Sequence, residues 1–104
     1  DELSSILTEH SDVDCAVLSS DRSAPMFYHV LDRMGKRLHH DFSLAALNSS
    51  AAATVLSPQL TSLQLETKLL GKYIIDIVNA GISGDSEYDT PEPIPYKLIV
   101  RESS

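Results

Sequence analysis

The sequence predicts an α/β domain built on a mostly parallel sheet flanked by helices. Strand-like and helix-like segments alternate along the chain, an order that is typical of parallel α/β folds. Residues 13–18 favour strand structure without regular polar alternation, which predicts a strand buried on both faces. Residues 61–81 combine a short strand with a long amphipathic helix, and this pattern is the strongest in the chain.

Length and charge limit what the chain can do. Its 104 residues are enough for at most one small domain, and 42% hydrophobic with 22% charged residues is ordinary for a globular protein. The net charge of −7 disfavours direct contact with nucleic-acid phosphates. The single cysteine, Cys15, excludes an internal disulfide, and we expect it to be a small buried hydrophobe.

The sequence shows neither the pattern of a signal peptide nor that of a membrane helix. No apolar run approaches the roughly 20 residues of a membrane helix. The first ten residues are acidic and contain no apolar signal-peptide core. Because the sequence does not start with methionine, we expect it to be a fragment of a longer protein.

The first half of the chain predicts two helices and two strands. Apolar residues at helical spacing predict a short helix over residues 2–10, ahead of the strand at 13–18. A second helix tolerates Pro25 in its first turn and closes at Gly35, where a left-handed cap is needed. Asp21 or Ser23 supplies its N-cap. Residues 42–47 form the second strand after a polar loop over residues 36–41.

The central helix, residues 65–80, follows a short strand at residues 61–65. Lys72 and Asp76 lie four residues apart on its polar side, so their side chains can meet. Gly81 follows the last periodic residue and predicts the C-cap. The apolar stripe of this predicted helix consists of Leu65, Leu69, Leu70, Tyr73, Ile74, Ile77 and Val78.

Two connections and a closing strand complete the chain. Residues 48–53 are small and polar, which predicts a loop with room for one helical turn. Residues 82–95 hold four acids and three prolines, so they predict an exposed connection rather than a helix. Residues 96–100 form the last strand. The acids of the connection are Asp85, Glu87, Asp89 and Glu92.

The order and type of the residues resemble the C-terminal part of lactose-repressor-family (LacI/GalR) transcription regulators. That family has a Pro-x-Leu-Thr-Thr segment, a Leu-Gly pair in the next helix and a closing Leu-Val-x-Arg-x-Ser strand. Those motifs match here at Pro58, Leu60, Thr61, Leu70, Gly71, Leu98, Val100, Arg101 and Ser103. An upstream segment also matches without a gap. In the family this segment consists of a strand, Asn-Asp, a helix, a glycine, a second strand and Gly-Phe-Asp-Asp. The matching residues are Asp21, Ala24, Leu31, Gly35, Asp41 and Ser43.

The resemblance implies a partial periplasmic-binding-protein-like (type I) domain. Residues 1–104 would be the C-terminal part of an effector-binding and dimerisation domain: the C-terminal subdomain plus helix 65–80 of the other subdomain. The DNA-binding headpiece would be absent from this chain. The expected partners are a small-molecule effector such as a sugar and a second copy, with operator DNA contacted only through the headpiece. Such a regulator is expected in the cytoplasm, and no membrane partner is implied.

The family's effector contacts carry over to Ser20, Asn48, Leu65 and Thr67. Ser20 stands where the family often has an asparagine, and Asn48 where the first acid of Gly-Phe-Asp-Asp grips sugar hydroxyls. Both loops follow strands, where ligands bind open α/β sheets. Losing the carboxylate removes charge-assisted bonds to hydroxyls, so either the effector is unusual or binding has decayed. The alternative for Asn48 is a strand-end turn residue.

Three further departures from the family pattern are Ala46, Leu47 and Ser49, which replace a glycine, an aromatic residue and the second acid. The resemblance also implies a dimer contact near the second helix and over residues 51–60. Its candidate residues are Met26, Tyr28, Val55 and Leu56. The alternative interpretation for the apolar face of the second helix is ordinary core.

Other chemistry finds little support in the sequence. His39, His40 and Asp41, with His29, suggest a metal, but adjacent histidines on a loop or strand point apart. No Gly-x-Ser-x-Gly elbow or glycine-rich phosphate loop occurs. We therefore expect no catalytic residue, metal or cofactor, and no enzyme. The alternatives are a periplasmic sugar-binding protein of the same fold and, less favoured, a small α/β enzyme.

Overall fold

The computed structural model describes residues 1–84 and 92–104. The elements run in the predicted order, with small shifts at their ends. They are α1 (Glu2–Glu9), β1 (Cys15–Leu18), a 3-10 turn (Asp21–Ser23), α2 (Ala24–Arg33), β2 (Ser43–Ala46), α3 (Ala52–Val55), β3 (Thr61–Leu65), α4 (Thr67–Ser83) and β4 (Tyr96–Ile99). Three of the acids in the predicted connection, Asp85, Glu87 and Asp89, lie outside the described residues.

The four strands form one sheet in the order β1-β2-β3-β4. The pairs β1–β2 and β2–β3 are parallel, as each is separated from its neighbour by a helix-containing crossover. The predicted α/β class is confirmed. Because neighbouring parallel strands end on the same side, the loops after β1 and β2 emerge at one edge.

The core lies on one face of the sheet. In the β1–β2 register Ala16 pairs with Leu44 and Leu18 with Ala46, so these four side chains share a face. Helices α1 and α2 pack together and supply the apolar residues that contact this face. The buried apolar residues are Leu7, Leu18, Ala24, Val30, Leu31, Phe42, Leu44, Ala46, Ala53 and Leu60.

The prediction that β1 is buried on both faces is wrong in this structure. Cys15 is exposed, and Val17 is 65% exposed. Both residues occupy the face opposite to Leu18, because successive side chains of a strand alternate. Helices α1 and α2 cover the Leu18 side. Apolar composition identified the strand, but it carried no information about which face a helix would cover.

One of the two predicted glycine caps is found in the structure, and the other is not. Gly35 follows α2 with φ of 70°, the left-handed conformation predicted there. Helix α4, by contrast, continues through Gly81 to Ser83 and is capped by Gly84, also with φ of 70°. The C-cap prediction at Gly81 is therefore wrong. Gly81 is compatible with a helix interior, and the helix gains one more apolar residue, Ile82, before it ends.

The chain divides into two compact units. The first comprises residues 1–64 and 98–104, and the second comprises residues 65–97. In the second unit no residue of α4 is buried. Lys72 Nζ lies 2.8 Å from Asp76 Oδ2 on the polar side of α4, which confirms the predicted pair. This pair is exposed, so its contribution to stability is small.

Candidate functional site

The loops after β1 and β2 meet at one edge of the sheet. Leu47 N–H donates to Leu18 O at 2.8 Å, so the two strands are still bonded where they end. Ser20 and Asn48 follow within two residues of this point. The structure thus brings together two of the four residues predicted to contact an effector. Ser20 is half-buried, whereas Asn48 is exposed.

Asp21 joins the two loops from a buried position. It is 1% exposed, and its backbone N–H donates to Asn48 Oδ1 at 2.8 Å. Asp21 Oδ2 accepts from Ser50 N–H at 2.7 Å and from Ser50 Oγ at 2.6 Å. We call this set of bonds among Asp21, Asn48 and Ser50 the strand-end clasp. The clasp fixes the backbone path of both loops relative to each other.

The clasp also reaches the start of α3. Ser50 Oγ accepts from Ala52 N–H at 3.2 Å, so the same hydroxyl bonds the carboxylate and the first turn of the helix. On the other loop, Ser20 Oγ accepts from Arg22 N–H at 3.3 Å and caps the 3-10 turn. Asp21 was expected as a possible cap of α2, but its side chain instead crosses to Ser50.

The other two predicted effector residues lie in the second unit. Leu65 is the last residue of β3 and is half-buried, and Thr67 is the first residue of α4 and is exposed. They lie two residues apart where the strand turns into the helix. Within that unit they are therefore close in the chain and flank a single loop residue, Glu66.

The predicted dimer residues differ in how free their side chains are. Met26 on α2 is 53% exposed, and Val55 on α3 is 80% exposed. Leu56 is half-buried and packs against the core. The Tyr28 ring also packs on the core, and its hydroxyl donates to Pro58 O at 2.6 Å. Of these four residues, Met26 and Val55 thus present mostly free apolar surface.

Replacing Tyr28 by phenylalanine is expected to lower the free energy of unfolding by about 0.5–1.5 kcal/mol, the usual net value of one hydrogen bond.

Burial raises the pKa of Tyr28 above 10.0, so the folded state holds this proton more tightly than the unfolded state. Stability is therefore lost as pH rises from 10.0 through the raised pKa. Urea unfolding across this range measures both effects, and Tyr28→Phe should lose less stability in alkali. An equal alkaline loss in both proteins would contradict the assignment.

The histidine-rich loop before β2 has a structural explanation. Asp41 Oδ2 accepts from Arg37 N–H at 2.8 Å, and this backbone bond lowers the pKa of the Asp41 carboxyl. His39 Nδ1 lies 2.7 Å from Ser104 O. In the part of the chain that the structure describes, no group of three His, Cys, Asp or Glu residues could hold a metal ion.

The described helices also include none long and apolar enough to cross a membrane.

A parallel sheet with polar loops meeting at its carboxyl edge is the architecture of α/β proteins that bind small ligands there. The comparison with known families agrees with this class. The chain belongs to the family of periplasmic binding protein-like domains, whose model matches residues 7–104. The predicted relationship to lactose-repressor-family regulators is confirmed by the relatives that the chain matches.

Two curated relatives are transcription regulators. The lactose operon repressor of Rhizobium radiobacter is 24% identical over 91 residues, which cover 88% of this chain and 80% of the relative. The HTH-type transcriptional regulator CelR of Thermobifida fusca is 26% identical over 98 residues, which cover 94% of this chain. The chain spans 29% of the length of that regulator.

A solved structure extends the comparison to a ligand complex. The transcriptional regulator CelR bound to cellobiose superposes with a TM-score of 0.83 at 26% identity. The match covers 94% of this chain and 30% of that one. These relatives are regulators rather than enzymes, and the CelR structure holds a sugar.

Proposed function

We propose that residues 1–104 form the C-terminal part of the effector-binding and dimerisation domain of a LacI-type transcription regulator. The strand-end clasp carries the proposal: a buried carboxylate holds two ligand-side loops at the edge where α/β sheets bind ligands. The sugar held by the CelR relative supports a sugar or a sugar-like metabolite as the effector.

In this proposal Ser20 and Asn48 contact the effector from the first unit. Leu65 and Thr67 are the candidate effector residues of the second unit. Helix α4 belongs to the other subdomain of the intact domain. A second copy of the chain is contacted through Met26, Tyr28, Val55 and Leu56. No step of catalysis is involved.

Effector binding acts by shifting the dimer between states that do and do not bind operator DNA. A ligand shifts such an equilibrium only as far as its affinities for the two states differ. The net charge of −7 supports a proposal in which operator DNA is contacted through a headpiece outside residues 1–104. A regulator of this kind works in the cytoplasm.

Nuclear magnetic resonance titration tests the proposal. Lactose, cellobiose and acidic sugars are added in the millimolar range to the labelled protein, and backbone amide shifts are followed. At least one sugar is expected to shift the amides of Ser20 and Asn48 in a saturable way, because these loops lie at the ligand edge. The amides of Asp32 and Arg33, at the far end of α2, serve as the internal control. Absence of saturable shifts at the strand-end loops with every sugar would contradict effector binding.

A further inference from the structure

The orientation of the Asn48 amide is set by its partner. A backbone N–H only donates, so the Asn48 atom that lies 2.8 Å from Asp21 N is the carbonyl oxygen. The amide nitrogen, Nδ2, occupies the other branch of the planar group and is directed away from that bond. Within residues 1–84 and 92–104, Nδ2 has no hydrogen-bond partner, and Asn48 is exposed. Two N–H donors therefore remain for a ligand.

The only carboxylate in these two loops is closed to a ligand. Asp21 Oδ2 accepts two bonds from Ser50, and Asp21 Oδ1 has no hydrogen-bond partner among the described residues. Because Asp21 is 1% exposed, a ligand at the edge does not reach either oxygen. Ser20 Oγ accepts from Arg22 N–H, which leaves its own proton to donate. No other acidic residue occurs in residues 19–23 or 47–51. The side-chain groups left for a ligand at this edge include the Asn48 amide nitrogen, which only donates, and the hydroxyls of Ser20 and Ser49, which donate and accept.

Arg22 adds a positive charge to the loop that follows β1. It follows Asp21 in the 3-10 turn and is exposed. Across the described part of the chain, its guanidinium makes no hydrogen bond or ion pair. A guanidinium binds carboxylates and phosphates through two parallel N–H bonds.

From these groups we infer that the effector carries an anionic oxygen group, a carboxylate or a phosphate, bound by Asn48 Nδ2 and Arg22. The inference rests on the proposed function and narrows its ligand. A neutral hydroxyl must donate its proton as well as accept. Among the described side chains of these two loops, only serine hydroxyls are open to receive that proton, because the one carboxylate is buried. An anionic group only accepts, so it satisfies these donors and leaves none of its own groups unpaired.

The replacement of an acid by Asn48 has a direct chemical meaning in this geometry. An aspartate at this position could accept the Asp21 N–H with one oxygen and present the other to the ligand as an acceptor. Asparagine keeps the inner bond and presents N–H donors instead. The net charge of −7 repels anions at long range, so a preference for anions must come from the local groups.

A titration with three compounds of one ring type tests the inference. Glucose, glucuronate and glucose 6-phosphate are compared by amide shifts of the labelled protein at fixed ionic strength. At least one of the two anionic compounds is expected to bind about tenfold tighter than glucose, since a hydrogen bond to a charged group contributes more than a neutral one. The two anionic compounds distinguish a carboxylate from a phosphate.

Two variants assign the effect to its residues. Arg22→Gln should remove most of the anionic preference, whereas Arg33→Gln, at the opposite end of α2, should not. Asn48→Asp should reverse the preference toward glucose, and because a carboxylate oxygen still accepts from Asp21 N–H, the spectrum of the rest of the domain should be retained.

The titrations distinguish a failure of the anionic inference from a failure of the proposed function. If glucose, lactose or cellobiose binds at the strand-end loops as tightly as the anionic compounds, the inference is wrong and effector binding stands. The inference is also wrong, with effector binding intact, if Arg22→Gln and Arg33→Gln have the same effect on the anionic preference. If no compound of either set binds at these loops, the proposed function is contradicted along with the inference.

Discussion

Replacing Ser103 by alanine is expected to lower the free energy of unfolding by about 2–6 kcal/mol. Ser103 is 0% exposed. Its hydroxyl donates to Leu44 O at 2.6 Å and accepts from Thr61 N–H at 2.8 Å. Alanine removes both bonds inside the sheet, where water does not replace them. Each buried polar group that loses its partner costs about 1–3 kcal/mol.

The backbone of Ser103 makes the hydroxyl's position rigid. Its N–H donates to Gln59 O at 3.0 Å, and its C=O accepts from Leu44 N–H at 2.8 Å. Ser103 therefore bridges β2 and the start of β3 through four bonds. Because alanine keeps the backbone pair, the change isolates the hydroxyl. Such a loss is a large part of the roughly 5–15 kcal/mol that stabilises a small domain.

Urea unfolding followed by circular dichroism measures the Ser103 effect. Ser104→Ala is the matched control, because Ser104 is exposed and shares one hydroxyl contact of 2.7 Å with Thr61 Oγ1. Water can take over that contact, so the control should stay within about 0.5 kcal/mol of the wild type. Equal losses in the two variants would show that the buried hydroxyl has no special role.

Local patterns in the sequence predicted the elements and their order. The stripe on residues 65–80 and the Pro25 and Gly35 signals located the two longer helices, since periodicity and turn chemistry act within a few residues. The C-cap at Gly81 was wrong because two glycines, Gly81 and Gly84, compete for one role. Gly84, with φ of 70°, is the one in the left-handed cap conformation.

Hydrogen bonds between residues far apart in the chain were not predicted from the sequence. Ser103 to Leu44 spans 59 positions, and Asp21 to Ser50 spans 29, so no spacing rule connects them. In the sequence, Ser103 and Asp21 match a family motif, and Asp21 is also a possible helix cap, but neither pattern predicts these bonds. Ser50 gave no signal at all. Burial of Cys15 was also mispredicted, because composition does not specify which sheet face is covered.

The part of the candidate site that the sequence predicted is its location. Ser20 and Asn48 follow strands, and parallel neighbours bring strand-end loops to one edge. The orientation of the Asn48 amide could not be predicted from the sequence, because it depends on the backbone N–H of a residue 27 positions away. For Asn48, the turn role and the ligand role are compatible. The oxygen holds the loop, and the nitrogen is available to a ligand.

The exposed apolar residues of helix α4 are expected to make the protein self-associate. Ile74, Ile77 and Val78 are 52%, 48% and 52% exposed, and Ile75 and Ile82 on the same helix are more exposed still. Full burial of one such side chain stabilises by about 1.5–3 kcal/mol. A second copy of the chain is the one partner certain to be present in a purified sample, so it is the expected cover.

Sedimentation velocity over a wide concentration range measures this association. Ile74→Asp should raise the dissociation constant by at least about tenfold, because a carboxylate in an apolar contact is costly to desolvate. Val55→Asp is the matched comparison, since Val55 is exposed on α3 in the proposed dimer surface. If Val55→Asp weakens association and Ile74→Asp does not, the contact runs through the first unit. A wild-type monomer at every concentration, with unfolding unchanged by Ile74→Asp, would refute a role for the stripe in either contact or folding.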